Sequence, residues 1–186
     1  VDAITLLKDD HKTLQRHFRA FESAQPRAKV ARTNAVSTAL RELAVHSAIE
    51  EQIFYPAIRE EAPDTLSEVL ESLEEHHVMK WLCAEIERAS VDDERYEAKV
   101  TVLIENTRHH IRDEEDELFP MVREALGRKR LAEIGELLDK ARLLAPTHPH
   151  PRSPDTPPGN LVVGVMAGAI DRARDMGQRL VGHLTP

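Results

Sequence analysis

Apolar residues recur at three- and four-residue steps along most of the first 145 positions, the period of an α-helix with one face turned to a core. Ile4, Leu7, Leu14, Phe18 and Phe21 form the first stripe, and Asp2 is placed to cap it. After a break at Pro26, Val36, Leu40, Leu43, Ile53 and Phe54 form a second, which runs to Pro56, a residue that kinks or ends a helix. Thr65 and Glu68 have the spacing of a capping box, and Leu66, Val69, Leu73, Cys83 and Ile86 follow as a third stripe. Past the linker SVDDE, Val100, Leu103, Thr107, Leu118 and Met121 mark a fourth helix. Gly127 suits a left-handed C-cap, with a short fifth helix through Leu131, Ile134, Leu138 and Ala141. Strand alternation is scarce, so the pattern predicts an all-α protein with four core helices and extra helices towards the C-terminus.

Polar residues interrupt the stripes at steps that should face inward. Residues 46–56 read HSAIEEQIFYP and residues 110–120 read HIRDEEDELFP, two copies of His-x-x-x-Glu-Glu-x-x-apolar-aromatic-Pro. His46 and Glu50, like His110 and Glu114, stand four apart and stack on one helix face. A further inward His lies a similar distance upstream of each copy: His11 in DDHKTL, and His76 in EEHHVM. Aligning those two segments selects His76 over His77; His109 is the equivalent neighbour of His110. Glu51 should rotate away to solvent, and His17 should lie on the surface.

One inward His is well explained by a hydrogen bond to a backbone carbonyl. Six such groups in two matching sets could form a buried polar network that fixes helix register, but two carboxylates close together in low dielectric repel strongly. A pair of dications removes that repulsion, so the pattern reads as a dinuclear metal site. Imidazole with carboxylate suits iron, manganese or zinc, and the lack of paired cysteines argues against structural zinc or an iron–sulfur cluster. If both carboxylates bridge, each metal receives two imidazole nitrogens and two carboxylate oxygens. One or two positions per metal then remain, for an oxo or hydroxo bridge and a small molecule.

Composition narrows the function further. The chain of 186 residues carries a net charge of -8, which disfavours nucleic acid or an anionic membrane as partner. The single cysteine cannot form an internal disulfide, which points to a reducing, cytoplasmic setting, and the first residues lack the basic start and apolar run of a signal peptide. The run NLVVGVMAGAI stops at Asp171 and Arg172, too short to span a membrane. From Ala145 the chain reads APTHPHPRSPDTPPG, an expected extended linker over 146–159, ahead of an amphipathic helix over 160–186 that is placed to pack on the bundle or on a second subunit. His148 and His150 are explained by loop composition.

The order DDH, H-x-x-x-EE-x-x-FYP, EEHH, H-x-x-x-EE-x-x-LFP resembles the hemerythrin-like proteins, the HHE cation-binding domain family, over residues 1–145. The resemblance implies an antiparallel up-down-up-down four-helix bundle with a non-haem di-iron centre. It implies His11, His46, His76 and His110 as iron ligands, with Glu50 and Glu114 bridging. Oxygen-carrying members have a second His four residues after the third-helix His, where this chain has Lys80, or Trp81 if His77 ligates. The usual five-His set is absent, which argues against reversible oxygen carriage. Tyr55 is a candidate substitute ligand, the other reading being an aromatic packed at a helix end, as Phe119 is in the other copy. The leading expectation is catalase-like peroxide decomposition in oxidative-stress protection; the second is non-enzymatic binding or sensing of O2, NO or iron.

Overall fold

The structure, a computed structural model, describes residues 1–154 and 159–182, without the side chains of residues 161, 162 and 177–182. The parts of the expected linker and last helix at 155–158 and 183–186 lie outside the described residues. Among the described residues there is no strand. Helix α1 spans Ala3–Ser23, α2 Lys29–Ile49, α3 Tyr55–Glu61, α4 Leu66–Arg88, α5 Tyr96–Asp113, α6 Phe119–Arg142 and α7 Gly159–Gly182. Asp2 caps α1 as its sequence position suggests, accepting the Thr5 backbone N–H at 3.0 Å. Thr65 does not cap α4: its hydroxyl turns back to donate to the Ala62 carbonyl at 2.8 Å, which ends a short 3-10 turn instead.

The first two helices pair antiparallel, since His11 meets His46 near one end while Phe21 stacks under the Arg32 guanidinium near the other. The pair α4 and α5 repeats this, with Glu75 on His110 and Glu85 on Lys99. Two apolar clusters fill the interior. One holds Ile4, Leu7, Ile49, Phe54, Ile58, Val69, Leu118, Phe119, Val122 and Ile134; the other holds Leu14, Phe18, Phe21, Leu40, Leu43, Met79, Ile86, Val100 and Leu103. Burying each large apolar side chain stabilises by roughly 1.5–3 kcal/mol, so the clusters clamp the helices on both sides of what lies between. Of the apolar residues read as inward from the sequence, Ile53, Met121 and Ala141 are half-buried and Leu66 is exposed, because α4 begins there at the surface.

Neither proline ends its helix. Helix α2 runs into α3 through a π turn at Glu50–Phe54, and α5 runs into α6 through a π turn at Glu114–Leu118. Proline lacks an N–H and its ring crowds the carbonyl four residues back, and one wider turn just before it absorbs both demands. Gly127 takes the positive φ expected of it, but at φ 70°, ψ 174° it is a sharp bend within α6 rather than a left-handed cap.

The proline-rich segment, over its described residues 146–154, is packed on the bundle rather than extended away from it. Ala145 and Thr147 are buried, and the backbone N–H groups of Thr147 and His148 donate to Asp171 of α7 at 2.9 and 3.1 Å. His148 bridges Glu87 of α4 and Asp175 of α7, and His150 Nε2 sits 3.0 Å from Asp171. Gly168 permits the close approach of α7, since a Cβ there would fall 2.1 Å from the Leu144 carbonyl oxygen.

Candidate metal centre

The four inward histidines and two glutamates lie between the apolar clusters, each no more than 1% exposed. The π turns place them. Tyr55 N–H bonds back to the Glu50 carbonyl, and Phe119 N–H to that of Glu114, five residues rather than four. The extra residue turns Glu50, Glu51, Phe54 and Tyr55 all inward, and in the other copy Glu114, Leu118 and Phe119.

At the centre, His11 Nε2 lies 3.2 Å from His46 Nε2, and His76 Nε2 lies 3.1 Å from His110 Nε2. The two carboxylates stand between these pairs. Glu50 Oε2 is 3.2 Å from His46 Nε2 and 3.4 Å from His76 Nε2; Glu114 Oε2 is 3.2 Å from His11 Nε2 and 3.5 Å from His110 Nε2. Each glutamate therefore touches one imidazole from each half, the disposition a bridging ligand needs. His77 and His109 both point to solvent, so the structure brings together all six residues read from the repeat and turns their neighbours out.

Every ring is held from behind by a carboxylate on Nδ1. Glu115 holds His11 at 2.8 Å, Asp10 holds His46 at 3.4 Å, Glu51 holds His76 at 2.9 Å and Glu75 holds His110 at 2.8 Å. This outer set obeys the same two-fold relation. The acid before each first His supports the second His of its own half, and the second Glu of each Glu-Glu pair supports the first His of one half. Glu51 was expected at the surface and is instead buried, its other oxygen 2.6 Å from Lys80 Nζ. The paired acids in DDH, EEHH and the two Glu-Glu steps were the sequence signal for this set.

The proton count shows what the centre lacks. A neutral imidazole that donates from Nδ1 has a bare lone pair at Nε2. Glu50 Oε1, Glu50 Oε2 and Glu114 Oε2 also have no hydrogen-bond donor, although imidazole nitrogens lie close by. Acceptors face acceptors at 3.1–3.5 Å in a dry interior, and cations satisfy them. Ligand atoms of His11, His46, Glu50 and Glu114 fall within 4.8 Å of one another, as do those of Glu50, His76 and His110. The donor set thus fits two metal ions that share Glu50.

Without metal, protons take the place of cations. Burial, then the charge of Glu114, pushes Glu50 well above the usual carboxylate range. Burial works against charge on His11, but Glu114 and Glu115 outweigh it and lift its pKa to about 9. Burial lowers His46 to about 4, despite Asp10, and lowers His76 despite Glu51. Glu114 moves the other way: burial opposes ionisation, but His110 and His11 hold it below the usual range.

Tyr55 occupies the place that Phe119 holds in the other copy. Its hydroxyl donates to Glu114 Oε1 at 2.9 Å and lies 3.5 Å from His76 Nε2, whereas the Phe119 ring stacks on His11 with centroids 5.9 Å apart. Burial, then Glu114 and Glu50, raises the phenol pKa well above its ordinary value. A cleft lies between α2, α4 and the segment after α6, with Glu51, Lys80, Met79, Cys83, His150 and Asn160 among its walls.

Residues 2–122 match the family described as the Hemerythrin HHE cation binding domain. The chain is 27% identical over 175 residues to an uncharacterised hemerythrin-like protein of Schizosaccharomyces pombe, covering 90% of this chain and 82% of that one. Its fold resembles the crystal structure of a hemerythrin HHE cation binding domain-containing protein from Mycobacterium kansasii. The TM-score is 0.64 at 22% identity, over 76% of this chain and 88% of that one.

Proposed function

The chain belongs to the hemerythrin HHE cation binding family, and on that footing we propose that its core holds two iron ions and handles a small oxidant, decomposing hydrogen peroxide to oxygen and water. The observation that carries this is the ring of bare imidazole nitrogens and donor-less carboxylate oxygens between two apolar clusters. His11 and His46 would hold one ion and His76 and His110 the other, with Glu50 and Glu114 each within reach of one imidazole of either pair. Paired iron supplies one-electron couples that act together on a two-electron oxidant.

The chain's own residues bind, orient and exclude water. The four outer carboxylates fix each ring's tautomer and direction and make Nε2 a stronger donor. Phe54 and Phe119, packed edge to face at 5.8 Å, close the centre on one side, so that reactive oxidants meet few competing groups. The Tyr55 hydroxyl donates to Glu114 Oε1, and we assign Tyr55 as a further ligand on the His76 side. Ferric iron would reverse the upward pressure on its pKa.

An oxygen electrode tests the enzymatic reading. Iron-loaded protein should evolve oxygen from peroxide faster than the same concentration of free iron; equal rates would defeat it. A tyrosinate-to-iron absorption band that vanishes in Tyr55→Phe would support ligation, and an unchanged spectrum would remove it.

A second reading, sensing of O2, NO or iron, is favoured by one contact: Asn160 of α7 donates to the backbone carbonyl of Glu51, which lies on the π turn of the centre. Protection of residues 143–154 from protease that changes on iron loading would support it. No helix among the described residues is long and apolar enough to cross a membrane. We assign the protein to a reducing cytoplasm, where the buried thiol of Cys83 stays unpaired, and the exposed Met166 and Ile170 of α7 to self-association, which sedimentation would read.

A further inference from the structure

The two halves of the centre match ligand for ligand and carboxylate for carboxylate, but not in the cations behind them. Glu115, behind His11, has Lys8 at 3.3 Å with both side chains about one-third exposed (37% and 30%). Glu51, behind His76, has Lys80 at 2.6 Å, with the Lys side chain 17% and the Glu side chain 4% exposed. The first pair is screened by water and salt, and the second is not. Arg142 pairs with Asp10 behind His46, but Asp10 reaches that ring only at 3.4 Å. Lys80 therefore stands at the end of the tightest and most buried of these chains.

We propose that Lys80 is a positioning residue of the metal centre, acting through Glu51 to hold the His76 ring in place. This rests on the metal reading above. Glu51 is almost dry and flanks Glu50 on the π turn, so its negative charge needs a fixed partner there. Lys80 supplies that partner and pins one carboxylate oxygen, which leaves the other to accept the His76 Nδ1–H at 2.9 Å. The ammonium group also borders the cleft beside α7, so the pair closes the wall between that cleft and His76. Without Lys80, Glu51 loses the contact that pins it and swings towards the cleft, and His76 loses both its direction and its enhanced donor strength. The Lys8 pair has no such duty, because water solvates Glu115 when Lys8 is gone.

The test compares Lys80→Gln, Lys80→Arg and Lys8→Gln in the full chain, with metal-free helicity checked by circular dichroism. In titrations with ferrous iron, Lys80→Gln should bind one of its two ions ten- to a hundred-fold more weakly. Lys80→Arg should recover most of that loss, and Lys8→Gln should stay within about two-fold of the parent, as expected of an exposed pair. In zinc-loaded protein, the His76 Nδ1–H resonance should broaden or shift in Lys80→Gln alone. Parent-like titrations and resonances in Lys80→Gln would overturn the assignment. Should Lys80→Gln fail to fold, Glu51→Gln carries the same two readouts, and an unweakened ion there would overturn it equally. A parent protein that binds fewer than two ions would instead defeat the metal reading itself.

Discussion

Glu50 has no exposed surface and no hydrogen-bond donor, so in the metal-free protein it has to carry a proton or bear an unshielded charge. Its folded pKa lies above the ordinary value of 4.5, so it favours folding below that value and disfavours it increasingly as pH rises above it. Glu50→Gln should therefore raise metal-free stability at pH 7 by on the order of 1–3 kcal/mol, a gain that fades as pH falls towards 4.5. The same change should abolish two-ion binding, so iron should raise the melting temperature of the parent and not of the variant. Denaturation with and without iron checks both signs. The neighbouring histidines give a sharper contrast. His76→Ala should lose bound iron by elemental analysis while His77→Ala keeps two ions, because His76 is buried at the centre and His77 is exposed. His110→Ala and His109→Ala should differ in the same way, since His110 is buried and His109 exposed. Alignment of the two copies was enough to choose His76, since a repeat carries register with it. Periodicity alone placed Glu51 wrongly: it stands only about 100° round from Glu50, and at the π turn that side is covered by α4, where His76 and Lys80 meet its two oxygens.

That turn is the device on which the elements depend. Pro56 and Pro120 each follow the inward glutamate by six residues, and each sits just beyond the widened turn that carries Glu50 or Glu114. The sequence shows the prolines and shows that the chain must respond to them. Whether a helix stops, kinks or widens is decided by packing, and here Ile58 and Val122, on the far side of the two prolines, belong to the same apolar cluster as Phe54 and Phe119 before them. Stopping would strand those residues, so the helix continues. Gly127 answers a different demand in α6. At φ 70°, ψ 174° it occupies a region open to glycine almost alone, and a Cβ there would meet nothing within 4 Å, so the strain is entirely in the backbone. Gly127→Ala should cost about 1–3 kcal/mol in chemical denaturation yet leave iron stoichiometry unchanged. Loss of metal in that variant would mean that the bend, not only the π turns, sets the centre.

At the scale of the whole molecule, two groups of histidines pull stability in opposite directions with pH. The proline-rich segment looked like an extended spacer because His148 and His150 meet their acids more than twenty residues away, beyond the reach of any local pattern. Burial alone would lower the His148 pKa, but Glu87 and Asp175 outweigh it and raise it above 6.5. A raised folded pKa means that His148 holds the segment fully below 6.5 and lets it go as pH climbs through the raised value. The metal ligands have the opposite sign. Their Nε2 atoms bind metal only when bare, so protons compete, and iron with its share of stability should leave as pH falls below about 5–6. That share is the binding linkage, about 2.7 kcal/mol when free metal stands at a hundred times its dissociation constant. Hydrogen exchange across residues 143–154 should therefore quicken on the alkaline side in the parent, and His148→Ala should be fast throughout and flat with pH. Melting temperature should drop on the acid side in both forms, because His46 and His76 are held neutral by burial, and it should drop further when iron is present. Removing iron with a chelator should shrink the acid limb and leave the alkaline one, because the latch at His148 touches Glu87 and Asp175 but none of the six ligands. If chelation moved both limbs together, α7 and the centre would be one cooperative unit, coupled through Asn160 and the Glu51 carbonyl.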